Sequence, residues 1–161
     1  MIKNFEKLKI SSNRSDFQAL VLDNFENLFS KINISWLDDK SFIEIESKVI
    51  TIYLIHKEDQ DTIVILNIFK KHISLWVGEN NLYFDEDVDF SYLKDVYFDC
   101  LAGNYKTTDY YYKKRIVFSN TFFLNHKELH FRSSRSFFYF VTKYFFKDSY
   151  ILKELSYKSF M

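Results

Sequence analysis

The chain has 161 residues, 47% hydrophobic and 27% charged, which suits one globular domain with a substantial core. Twenty-two bases balance twenty-two acids, so no overall field points to nucleic acid or to a membrane surface. A single cysteine excludes an intrachain disulfide and gives no sign of an oxidising compartment.

The opening MIKNFEKLKI lacks the continuous apolar stretch of a signal peptide. The longest apolar block, FFYFVTKYFF (137–146), carries Lys143 and reaches about half a membrane span. These features predict a soluble, cytoplasmic protein with one domain over 1–161. Nineteen Phe and twelve Tyr stand beside two Gly and no Pro. Lys, Asn and Ile are abundant as well, the pattern of AT-rich codons, so the aromatic content alone is no binding signature.

In chain order, Ser15 or Asp16 opens a helix over SDFQALVLDNFENLFSKI, where Phe17, Leu20, Val21, Phe25, Leu28 and Phe29 recur at helical spacing. FIEIES sets Ile43 and Ile45 against Glu44 and Glu46, the alternation of a strand with one wet face. VITIYLI (49–55) and TIVILNIF (62–69) are nearly continuous β-formers and read as inner strands covered on both faces, with DQD (59–61) as the turn between them. ISLWV (73–77), GENN and LYF (82–84) make a hairpin that turns at 78–81, where Gly and Asn tolerate positive φ. A helix follows over DFSYLKDVYFDCLAG: Asp87 or Asp89 caps it, Phe90, Leu93, Tyr97 and Leu101 form its stripe, and Gly103 closes it. YKTTDYYYKK, RIVFSNTFFL and ELHFRS return to strand chemistry. Phe137, Phe140, Val141, Tyr144 and Phe145 place a last helix. The expected fold is α+β, a largely antiparallel β-sheet of about five to eight strands with N-terminal, middle and C-terminal helices packed on it. Phe138 and Phe146 lie off the last helix's main stripe, which burial within the monomer and a homodimer contact explain equally well.

Little in the chain points to catalysis. His56, His72, His126 and His130 read as surface histidines, and HKELH puts Lys127 where a zinc-protease helix needs Glu. Cys100, between Asp99 and Leu101, reads as a buried structural thiol. Two glycines cannot build a phosphate cradle, and no G-x-S-x-G elbow occurs. No cofactor or metal is expected, and a small enzyme of unknown reaction is the weakest of three readings.

The charge order is more informative. Glu79, Asp85, Glu86, Asp87, Asp89, Asp95 and Asp99 face the single base Lys94 between positions 79 and 99, whereas nine bases face Asp109 and Glu128 between 104 and 147. Capping and the helix dipole account for Asp87 and Asp89 but not for Asp85, Glu86 or Glu79. An acidic surface would steer a basic partner. YYYKKR (110–115) interleaves rings with bases, which supports an alternative nucleic-acid-binding module through Tyr110, Tyr112, Lys113, Lys114 and Arg115. Some of these tyrosines must face the core, and no global positive charge supports that alternative.

Across 61–124 the order runs apolar strand, short hairpin, aromatic-Phe-Asp ending, acidic loop, helix closing near Gly, Tyr-rich strand. With ISLWVGENNLYFDEDVDFSYLKDVYFDCLAGNYK (73–106) at its centre, it resembles small bacterial immunity proteins of polymorphic-toxin and contact-dependent growth inhibition systems. Some members carry His in the hairpin's second strand. Asn81, Leu82 and Tyr83 stand there in this chain, so no histidine role carries over. The resemblance covers under half of the chain. It implies a protein that binds and neutralises a cognate toxin C-terminal domain, commonly a nuclease, in the cytoplasm, with neither catalysis nor cofactor. The expected partner surface is Glu79, Asp85, Glu86, Asp87 and Asp89, with Trp76 and Tyr83 as aromatic anchors.

Overall fold

The computed structural model describes residues 14–46, 48–78, 80–112, 115–126, 130–134 and 151–161, with the backbone alone at 115, 117 and 130–134. Helix α1, Asp16–Phe29, opens with a reciprocal cap: Ser15 Oγ accepts the Gln18 N–H while Gln18 Oε1 accepts the Ser15 N–H. Gln18 is itself buried, and its Nε2 donates to the Ile68 carbonyl at 3.0 Å, fastening the helix start to a strand.

Five strands then form an antiparallel meander in chain order: β1 Phe42–Ile45, β2 Val49–His56, β3 Asp59–Phe69, β4 His72–Val77 and β5 Asn80–Asp85. Helix α2, Phe90–Ala102, is capped by Asp89 and ends at Gly103, which is left-handed at φ +70°. A second sheet has the order β8-β7-β6-β9, from β6 Tyr105–Tyr112, β7 Arg115–Phe123, β8 His130–Ser134 and β9 Ile151–Ser156. The class is α+β and mostly antiparallel sheet. The described strands number nine in two sheets, where one sheet of five to eight was expected. The unforeseen strand is β9, ILKELS, whose central Lys-Glu pair hides any alternation. The expected C-terminal helix over 137–146 lies outside the described residues.

One core joins these parts. Val21, Phe25 and Phe29 of α1, Leu93, Tyr97 and Cys100 of α2, and the inner faces of β1 to β5 pack together, with Tyr105 and Phe123 of the second sheet. Phe25, Phe29 and Tyr97 form a ring cluster at its centre. Both helices contribute to this one side. Ile50, Ile52 and Leu54 of β2 and Val64, Leu66 and Ile68 of β3 are therefore buried, while Thr51, Tyr53, Ile63, Ile65 and Asn67 behind them are only half-buried. β2 and β3 are not covered on both faces as expected, and a continuous β-forming run cannot distinguish the two cases.

The chain turns between β2 and β3 at Lys57 and Glu58, not at 59–61, because Asp59 pairs with His56 across the ladder. His56 Nδ1 accepts the Glu58 N–H, and Asp59 accepts both the Asp61 N–H and the Thr62 hydroxyl, which satisfies the tighter turn.

The segment after β9 returns through the middle of the molecule. Phe160 is fully buried, its N–H donates to the Leu101 carbonyl at 2.7 Å, and its carbonyl accepts the Asn33 N–H at 2.8 Å. The Lys158 N–H reaches Thr62 Oγ1 at 3.1 Å. No described helix is long and apolar enough to cross a membrane.

Candidate functional site

The β4–β5 hairpin has a two-residue turn that starts at Gly78, φ +56°. Its register pairs Trp76 with Asn81, Ser74 with Tyr83 and His72 with Asp85. Alternation then sends Ile73, Leu75, Val77, Asn80, Leu82 and Phe84 inward and leaves His72, Ser74, Trp76, Asn81, Tyr83 and Asp85 on the sheet's outer face. Trp76 is 39% exposed and Tyr83 59%.

The register carries this face across the whole sheet. Phe42, Tyr53, Ile65 and Trp76 occupy directly opposed positions on β1, β2, β3 and β4, forming one apolar row that ends at Asn81. Phe42, 44% exposed, stacks on Tyr53 with centroids 5.1 Å apart. The next row is Glu44, Thr51, Asn67, Ser74 and Tyr83. Its polar members are tied down: Thr51 bonds Asn67 at 3.0 Å, and Ser74 bonds Asn81 at 2.7 Å. His72 lies stacked between Phe69, at 4.3 Å, and Tyr83, at 4.6 Å. The face is thus an aromatic plate whose side chains hold one another in place.

Its charge has one sign. The ionised side chains at register-paired outer-face positions are Glu44 and Asp85, and no Lys or Arg occupies such a position. Lys48, Lys57, Lys70 and Lys71 lie in the connecting turns at the rim. Lys71 Nζ approaches Glu86 Oε1 at 3.9 Å with both side chains exposed, a pairing of small energy.

The expected site divides on this frame. Trp76, Tyr83 and Asp85 share the open face. Glu86 and Asp87 are exposed in the turn after β5. Asp89 is the α2 N-cap, its carboxylate accepting the Ser91 N–H at 2.8 Å, so its placement is explained by the helix. Glu79 lies outside the described residues. The acidic block is also not one surface. Asp99 is 2% exposed and accepts from Asn125 Nδ2 at 2.6 Å and Asn104 Nδ2 at 3.2 Å, with His126 Nε2 3.7 Å from its other oxygen. Phe42, Glu44, Tyr53 and Ile65 are site residues the sequence did not single out. The Glu44 side of FIEIES was the one local hint.

No protein-family model matches the chain, and no curated protein or solved structure matches it.

Other chemical groups are placed for structure. His56 is buried, not at the surface, stacked on Trp36 at 5.6 Å and edge-on to Phe160. His72 and His126 are half-buried, and 127–129 of HKELH lie outside the described residues. Cys100 is fully buried, and burial together with the neighbouring Asp99 pushes its thiol well above the ordinary range, opposite to what a nucleophile requires. Among the described residues no group of three or more His, Cys, Asp or Glu could hold a metal ion. In the basic strand, Tyr110 packs against Phe118 at 5.1 Å, and a register shift falls between Tyr110 and Tyr111. Lys113 and Lys114 lie outside the described residues.

Proposed function

We propose that this chain is an immunity protein that binds and neutralises a cognate bacterial toxin domain in the cytoplasm, by occlusion and not by chemistry. The observation that carries the reading is the meeting of Trp76, Tyr83 and Asp85 on one open sheet face, two aromatic anchors beside a carboxylate. Exposed rings on a rigid backbone supply contact area at low entropic cost, the property of interface hot spots. Glu86 and Asp87 at the rim add to the field that steers a basic partner toward the face. The fit to the family resemblance over 73–106 is in kind: a compact α+β domain with an acidic, aromatic surface.

The test is co-purification with any toxin C-terminal domain that a neighbouring gene encodes, followed by a toxicity assay. Wild type should form a stable complex and protect. Trp76→Ala should lower affinity by a factor of about 10 or more, the range of a hot-spot truncation. Absence of any complex with that domain, or full protection by a Trp76→Ala, Asp85→Lys double variant, would overturn the reading.

A further inference from the structure

We infer that the docking surface is the full five-stranded face and not the β4–β5 hairpin alone, and that its occupant is a protein surface rich in arginine and lysine. This deepens the proposed function and rests on it.

The first argument is size. Strands lie about 4.8 Å apart, so the hairpin offers a strip about 10 Å wide, whereas five strands span about 24 Å. A stable interface takes about 800 Å² from each partner, a patch on the order of 30 Å across, which the hairpin cannot supply. The second is continuity. The row from Phe42 to Trp76 is unbroken in register, and it is most exposed at its two ends, not at the hairpin alone. Of the eight large hydrophobic side chains exposed among the described residues, Phe42, Trp76 and Tyr83 all stand on this one face.

The third argument is charge. Glu44 on β1 and Asp85 on β5 stand at opposite edges of the face, with no cation at its register-paired strand positions. A guanidinium can bridge to a carboxylate in bidentate fashion and lay its plane on an aromatic ring, and this face presents both elements side by side. The same two carboxylates repel phosphate, which disfavours nucleic acid as the occupant.

The test compares charge reversals on one toxin domain. Glu44→Lys lies away from the hairpin on an exposed position and should weaken binding about tenfold, as should Phe42→Ala. Asp23→Lys makes the same charge change on exposed α1, on the opposite side of the sheet, and should leave binding within twofold. Wild-type affinity in Glu44→Lys and Phe42→Ala, alongside loss in Trp76→Ala, would overturn this inference and leave the proposed function standing. If wild type does not bind the toxin domain, a labelled nona-arginine peptide decides the inference separately. Saturable binding that Glu44→Lys and Asp85→Lys each weaken, with none to nona-glutamate, supports it. No binding, or binding that Asp23→Lys reduces equally, overturns it.

Discussion

Ser119 Oγ donates to the Asp109 carboxylate at 2.7 Å from the directly opposed position on β7, and both side chains are buried. The bond belongs to a polar seam between the sheets. Asn80 of β5 donates to Ser119 and Thr121, and Thr121 pairs with Thr107 at 3.0 Å. A buried carboxylate that loses its donor retains the full cost of desolvation. Ser119→Ala should therefore destabilise the fold by about 3 kcal/mol, measured by urea titration. Adding Asp109→Asn should recover part of that loss, and simple additivity of the two losses would contradict this account.

Two acids four residues apart should behave in opposite ways. Asp89→Ala removes the α2 cap and should cost about 1 kcal/mol of stability while leaving partner affinity unchanged. Asp85→Lys removes no hydrogen bond of the cap and should leave the melting temperature nearly unchanged while slowing association several-fold at low salt. Stopped-flow binding and thermal melts on the same two variants check both halves.

Stability should fall in alkali, and Cys100 should begin the fall. Its thiol would ordinarily ionise near pH 9.0, and burial with Asp99 raises that in the folded chain. Below pH 9 both states keep the proton and stability is complete. Above it the unfolded chain releases the proton first, so stability is lost at a rate of up to about 1.4 kcal/mol per pH unit for each such group. Tyr97, Tyr105 and Tyr157 add to the decline from pH 10.0, since burial raises each of them, Tyr157 to about 12. In Cys100→Ala the decline should begin about one pH unit later in chemical denaturation followed across pH. The native thiol should also be inert to a disulfide reagent at pH 8, reacting only on unfolding.

The two glycines should rank in a definite order. A Cβ on Gly103 would lie 2.7 Å from the Tyr157 carbonyl oxygen, a backbone atom, at φ +70°. On Gly78 it would meet the Tyr157 hydroxyl at 2.9 Å, the far end of a side chain. Gly103→Ala should cost about 3 kcal/mol and Gly78→Ala about 1, compared by thermal melts.

What the sequence disclosed was local. Ser15 with Gln18, Asp89 with Ser91 and Gly103 set the helix ends through contacts within a few residues, and those ends could be read from residue type alone. The hairpin that exposes Trp76 was legible for the same reason. The row from Phe42 to Trp76 was not, because three separate strand registers place it and no short window of sequence encodes them. Burial of His56 and Asp99 escaped notice on similar grounds. Each is covered by residues far away in sequence, Phe160 over one and Asn125 over the other. β9 lay hidden because its partner β6 supplies the pairing that its own composition does not suggest.

The path of residues 157–161 has a consequence for the order of folding. The Lys158–Thr62 bond closes a loop 96 residues apart in sequence, and the neighbouring bonds at Phe160 need the end of α2 and the Asn33 turn already in place. Chain-closure entropy must be met before such contacts give anything back, so this seam completes the structure instead of nucleating it. Contacts made after the rate-limiting step act mainly on the rate of unfolding. Loss of the Phe160 ring, lodged against His56 and the end of α2, should therefore shorten the lifetime of the native molecule more than it slows the approach to it.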